Sequence, residues 1–189
     1  MDNECIVIID PQKDFTSIHG SYARRHEGIS QILDAKANIN KLLTQIDKNR
    51  FVIVSSNYSI NQFAGGLSIC IPGTEGHEID INANTSFTYV SKKEHSCFSS
   101  FEFLHYLNTN HIHKLVLCGF LAEYCVMGTA TDALRNGYTV SLLEDCIGTG
   151  DDVQERKNKS LSELKKLGAA VVSHEDYLNY LYTNPSLHR

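Results

Sequence analysis

Apolar residues in this chain follow two rhythms. Short unbroken runs alternate with longer stretches in which apolar positions recur every three or four residues. The runs are CIVIID at 5–10, FVIVSS at 51–56, FTYVSK at 87–92, KLVLCGF at 114–120, YTVSLLED at 138–145 and AAVVS at 169–173. Continuous apolar runs of this length predict strands buried on both faces, because a half-exposed strand would alternate. The second rhythm predicts helices. It runs through ISQILDAKANINKLLTQI at 29–46 and through SSFEFLHYL at 99–107, where Ser99 or Ser100 serves as the N-cap. It returns in GFLAEYCVMGTATDAL at 119–134, DVQERKNKSLSELKKL at 152–167 and HEDYLNYLYT at 174–183. The segment NYSINQFAGGLSICIPGTEG at 57–76 follows neither rhythm, and its glycines and proline mark it as irregular.

Strand followed by helix, repeated, predicts an α/β fold. The expected form is a three-layer α/β/α, Rossmann-like arrangement around a six-stranded, mainly parallel sheet, with residues 1–189 as a single domain. In open sheets of this kind ligands bind beyond the carboxyl ends of the strands. Asp10 ends the first predicted strand, Lys92 ends the third, and Cys125 follows the loop after the fourth. Three chemically able side chains thus converge on one rim.

Composition narrows the function. The chain has 189 residues, 42% of them apolar, which is enough for one core. No run approaches the roughly 20 apolar residues of a membrane span, so no membrane partner is expected. A formal charge of −5 and the lack of a basic block argue against nucleic acid. The opening MDNECIVIID is acidic before a short apolar run, unlike a secretory signal. Six cysteines without a CxxC pair then point to reduced thiols in a cytoplasmic protein, not to disulfides or a zinc knuckle.

The rim residues suit covalent acyl transfer. A free thiol, with a pKa of about 8.5, is mostly protonated at neutral pH. A helix N-terminus and a nearby ammonium, here Lys92, both favour the thiolate of Cys125. A carboxylate alongside, Asp10, accepts the thiol proton and passes it to a leaving group.

The chain resembles the isochorismatase-like cysteine hydrolases, the superfamily of nicotinamidases, N-carbamoylsarcosine amidases and isochorismatases. The resemblance rests on VIIDPQKDF at 7–15, IPGTEGHEI at 71–79, VSKKEHSCF at 90–98 and LCGFLAEYCVMGTATDALRNGYTVSLLEDCIGT at 117–149. It implies Asp10 as general acid/base, Cys125 as nucleophile and a lysine between them. The family's lysine lies six residues before the phenylalanine of the third stretch, which here selects Lys92 over Lys93. Strand alternation also sends Lys93 to the opposite face. The resemblance further implies a cis peptide between Phe120 and Leu121, turning the Leu121 amide, with that of Cys125, toward a developing oxyanion. Cysteines 5, 118 and 146 read as packing residues.

Metal-using relatives resemble one another in a DxH-like site with a further histidine before a GT pair. This chain has Asn57, Ser59 and Ile69 at those places, a poor donor set for a divalent metal. His77 and His95 could approach the rim without a metal-like spacing partner, and the HIH at 111–113 reads as a solvated turn at the other end. The expectation is therefore no metal and no cofactor. The predicted activity is cleavage of a C–N bond in a small amide or ureido compound through a thioester. Phe15, Asn57, Gln62 and Phe63 are the candidate substrate contacts. The alternatives are a nicotinamidase, a vinyl ether hydrolase of the isochorismatase type, and two non-enzymatic readings, an inert binding protein or a thiol redox sensor. A small-molecule substrate and a homo-oligomer, dimer or higher, complete the expectation.

Overall fold

The computed structural model describes residues 3–63 and 66–184. Six strands form one sheet: β1 (Glu4–Ile9), β2 (Phe51–Ser56), β3 (Thr88–Lys92), β4 (Lys114–Phe120), β5 (Thr139–Gly148) and β6 (Ala170–Val172). Their spatial order is β3-β2-β1-β4-β5-β6, and every neighbouring pair is parallel. The expected sheet was mainly parallel; the observed one is parallel throughout. The chain starts at the centre and reverses direction across the sheet once, between β1 and β4, which opens a crevice beyond their carboxyl ends.

Two buried clusters sit on either side of this sheet. On one face Ile6, Ile8, Ile53 and Cys118 pack against α2 (Ser30–Gln45) through Ile32, Ile39 and Leu42, and against α6 (His174–Thr183) through Tyr177, Leu178 and Leu181. On the other, Val7, Ile9, Val54 and Leu117 meet α3 (Phe101–Thr109), α4 (Met127–Arg135) and α5 (Gln154–Lys166). Successive β1 side chains alternate between the clusters, so both faces are apolar and the run is unbroken. A four-residue helix, α1 (Lys13–Thr16), follows β1 directly.

The ends of several elements differ from the sequence reading. β1 begins a residue earlier, at Glu4. Its carboxylate is buried because Arg50 and Lys114 each approach it at 2.6 Å and Tyr177 donates a hydrogen bond at 2.6 Å. β3 lies at the sheet edge and is mostly only half buried. β5 runs on to Gly148, past the expected end at 145, with a register shift opposite β4 between Leu117 and Gly119.

The largest difference lies after β4. β4 ends at Phe120, as expected, and the Phe120–Leu121 peptide is cis, but the expected helix does not open there. Ala122–Val126 then form a π-helical turn, in which Val126 N–H donates to the Leu121 carbonyl at 3.2 Å, and α4 begins only at Met127. Single-turn π segments of this kind are frequent at functional sites. Gly119 has φ +120°, and a Cβ there would overlap the Ile9 carbonyl. Only glycine therefore lets β4 close on β1 at the level where Asp10 leaves the sheet.

Candidate active site

Three strand ends and the π turn build the site. Asp10 lies one residue beyond β1 with φ +51°, in the left-handed region that aspartate tolerates better than most residues. Its amide still pairs with the Val54 carbonyl at 2.8 Å, so the backbone turns sharply while the carboxylate stays fixed. Lys92 is the last residue of β3 and sits in register with Ser56, the last of β2. Cys125 lies on the π turn that follows β4.

The side chains meet. Lys92 Nζ lies 2.9 Å from Asp10 Oδ2, 2.7 Å from Ser56 Oγ, 3.2 Å from the Tyr58 hydroxyl and 3.4 Å from Cys125 Sγ. It also donates to the Glu94 carbonyl at 3.0 Å. Ser56 Oγ donates to Asp10 Oδ1 at 2.9 Å, so one hydroxyl bridges the carboxylate and the ammonium. The Tyr58 hydroxyl stands 3.4 Å and His95 Nδ1 3.7 Å from Cys125 Sγ. Asp10, Lys92 and Cys125 are all buried.

Burial sets the electrostatics. It alone would lower the Lys92 ammonium's pKa, but the Asp10 carboxylate and then Cys125 and Tyr58 hold it well above the ordinary value. The Cys125 thiol is pushed up, first by burial and then by the Asp10 charge, with Lys92 opposing. This corrects the expectation of a thiolate favoured at rest. Lys92 acts in the expected direction, yet its charge is already balanced by Asp10, so a second anion in the same buried space is disfavoured. The Tyr58 phenol is raised by burial, and His95 is lowered by burial and then by Lys92, which keeps its imidazole neutral near pH 7.

A cavity of about 370 Å³ opens above Cys125. Phe15 and Phe63 line it, as expected from sequence. Asn57 and Gln62 are not among its lining residues, and both are spent on tying down their loop. Asn57 Oδ1 pairs with His77 Nε2 at 2.6 Å, while Gln62 donates to the Lys93 carbonyl at 2.7 Å and accepts from the Ser59 amide at 2.9 Å. Tyr22, Arg25, Tyr58, His95, Tyr124 and Arg156 line the cavity and were not singled out as substrate contacts. His95 stacks between Phe63 and Tyr124, at 5.3 Å and 5.5 Å between ring centroids. Ser56 was legible as a strand-end residue; the others sit on loops and helices whose packing no local pattern reveals.

The two lysines separate cleanly, Lys92 buried and Lys93 exposed. Where metal-using relatives would have ligands, Ser59 is exposed, Ile69 is buried among apolar neighbours and Asn57 holds His77. Asp14, the carboxylate nearest in sequence to Asp10, accepts from the Cys70 amide at 2.6 Å and the Ser21 amide at 3.2 Å. An amide, a hydroxyl and an isoleucine do not fit a divalent metal. Among the described residues, the group of metal-type side chains that comes together is Asp145, Cys146 and His174, none of which lines the cavity. Asp145 there caps α6, accepting from the His174 amide at 2.8 Å and pairing with its Nδ1 at 2.6 Å.

A strained strand end, a buried carboxylate–ammonium pair and a thiol beneath a cavity on a doubly wound sheet define a hydrolase-like site. The chain matches the Isochorismatase domain family over residues 4–176 and belongs to that family of hydrolases. It is 27% identical over 177 residues to the secreted isochorismatase effector Isc1 of Verticillium dahliae, covering 90% of this chain and 88% of that protein. The fold is shared with the pyrazinamidase of Pyrococcus horikoshii, solved in complex with zinc, at TM-score 0.74 and 24% identity, over 90% of this chain and 99% of that one. It is shared too with a protein of L. infantum solved in complex with nicotinate, at TM-score 0.76 and 23% identity, over 92% and 94% of the two chains. Among the described residues, no helix is long and apolar enough to cross a membrane.

Proposed function

We propose that the chain is a cysteine amidase that cleaves a C–N bond in a small amide or ureido compound through a thioester on Cys125. The observation that carries this reading is the position of Lys92 Nζ, 2.9 Å from a buried carboxylate and 3.4 Å from a buried thiol at the base of a cavity. Because the thiol is protonated at rest, the nucleophile must be made when substrate arrives. Asp10 takes the Cys125 proton as Sγ attacks the carbonyl carbon. The oxygen that becomes negative is received by the Leu121 and Cys125 amides. The C–N bond breaks as Asp10 returns the proton to the departing nitrogen. Asp10 then takes a proton from water, the hydroxide attacks the thioester, and the acid leaves as the thiol is restored.

Lys92 stays an ammonium throughout. It holds the Asp10 carboxylate at 2.9 Å and offsets the charge that appears on sulfur. The raised thiol weighs against a redox sensor, which works through a low-pKa thiolate. A thiol nucleophile with five further buried free thiols suits a reducing, cytoplasmic setting.

The test is a panel of small amides and ureido acids scored by ammonia release, with intact-mass detection of an acyl adduct after rapid quenching. The expected result is ammonia from at least one compound and an adduct that maps to Cys125. Ammonia released at the wild-type rate by Cys125→Ala overturns the covalent route.

A further inference from the structure

The cavity changes character from base to mouth. Cys125, Leu121, Tyr58 and Ile69 are buried, whereas Arg25 is exposed and the Arg156 side chain is 53% exposed. The two guanidiniums therefore occupy the outer part. No aspartate or glutamate among the described residues lines the cavity, although the chain as a whole carries a charge of −5. Among the described residues, the Arg25 guanidinium has no hydrogen bond or ion pair. The carboxylate nearest Arg156 is Glu123, whose Oε1 is 3.8 Å away and already accepts from Thr149 Oγ1 at 3.0 Å. His26, the remaining basic lining residue near the mouth, is held by Asp152 at 2.7 Å. Between base and mouth the walls are aromatic, with Phe15, Tyr22, Phe63 and Tyr124 among them.

We propose that Arg25 and Arg156 form an anion-binding end of this cavity, and that the substrate is a flat amide or ureido compound carrying a carboxylate at the end away from the scissile bond. The substrate class rests on the cysteine amidase reading; the anion site does not. A guanidinium presents a planar fork of donors that matches a carboxylate in two parallel hydrogen bonds. An unpaired one beside aromatic walls favours an anion whose body is planar and apolar, since the walls contribute by contact area and the cation by charge. A neutral amide of the same shape would leave the Arg25 guanidinium to water and Arg156 to Glu123 alone.

The test uses the full chain with Cys125→Ala, so that no turnover interferes, and two probes of the same shape class, 4-carbamoylbenzoate and benzamide. By calorimetry the carboxylate probe is expected to bind ~10-fold more tightly or better, as charge-assisted hydrogen bonds imply. Adding Arg25→Ala and Arg156→Ala should bring the two probes to within about 2-fold of each other. Replacing the same residues by lysine should keep part of the preference, because the charge remains and the fork is lost. Equal binding of the two probes to the parent, or an undiminished preference in the double alanine variant, overturns the proposal. Arg25 is exposed and unpaired, so its removal leaves the core untouched; Arg156 lies 3.8 Å from the nearly buried Glu123, so Arg25→Ala alone is measured as well and should already narrow the preference. Probe preference without ammonia release from the wild type would retain the anion site and remove the amidase reading, so the two fail separately.

Discussion

Asp10 Oδ2 and Lys92 Nζ face each other across 2.9 Å with both side chains shut off from solvent. Each charge is tolerated there only because of the other, and Ser56 Oγ bonds to both. The pair is thus a structural element as well as a chemical one. Removing one member leaves a buried charge with no counterion.

Lys92→Ala should therefore destabilise the fold by about 3–5 kcal/mol, whereas Lys93→Ala, at an exposed position, should stay within about 0.5 kcal/mol. Urea denaturation of the two variants beside the wild type checks this. Similar losses at both positions would mean that the Asp10–Lys92 pair is not what the charge at 92 supports.

Removing the nucleophile should act on rate and not on fold. Cys125→Ala should lower turnover by about 10³-fold or more, while the melting temperature stays near that of the wild type. The thiol contributes little volume, and its partners Lys92 and Tyr58 keep their other bonds. Steady-state ammonia release and a thermal melt on the same preparation give both readouts.

The thiol's environment sets a sign for each neighbour. Asp10 raises the Cys125 pKa and Lys92 lowers it. Asp10→Asn should accordingly move the pH profile of iodoacetamide alkylation at Cys125 downward. Lys92→Ala should move it upward, and Tyr58→Phe should also move it upward, because the phenol's hydrogen bond favours the thiolate. Peptide mapping of the alkylated protein across pH 7 to 10.5 reads the order directly, and a downward shift in Lys92→Ala would contradict the assigned charges.

Alkaline pH should weaken the fold. Burial pushes the Cys5 and Cys97 thiols up to about 12, and Cys118 and Cys146 are also raised by burial. In the unfolded chain these thiols ionise near pH 8.5. Above that value the unfolded state binds fewer protons than the folded one, so stability present below about pH 8.5 is lost as pH rises. Urea midpoints measured at pH 7.5, 9 and 10 under reducing conditions should fall in that order.

Catalysis should not depend on a divalent ion. Asn57 and Ser59 are neutral donors and Ile69 is no donor at all, and Asn57 is already bonded to His77. Ammonia release should survive dialysis against a strong chelator, and elemental analysis should find no stoichiometric zinc, iron or manganese. Activity lost under chelator and restored by one of these metals would return the nicotinamidase reading.

By itself, the sequence determined the six-stranded α/β architecture, because a strand buried on both faces must be apolar at every position and so leaves an unbroken run such as CIVIID. It also determined that Asp10, Lys92 and Cys125 share one rim, because parallel strands joined by crossover helices all end on the same side. The six-residue count from Phe98, with two-residue alternation beside it, selected Lys92 over Lys93, and Lys92 is the lysine buried beside Asp10. Tertiary structure alone decided the rest. Asn57 and Gln62 were plausible contacts by residue type, but a loop fold with its own unpaired polar groups claimed both. Arg25, Tyr58 and Arg156 came to the cavity from three separated segments, and no local periodicity encodes a contact across such distances. The thiol's protonation also lay beyond the sequence. A helix opening and a lysine both favour thiolate, and only the burial of Cys125 beside an already paired Asp10 and Lys92 reverses the balance.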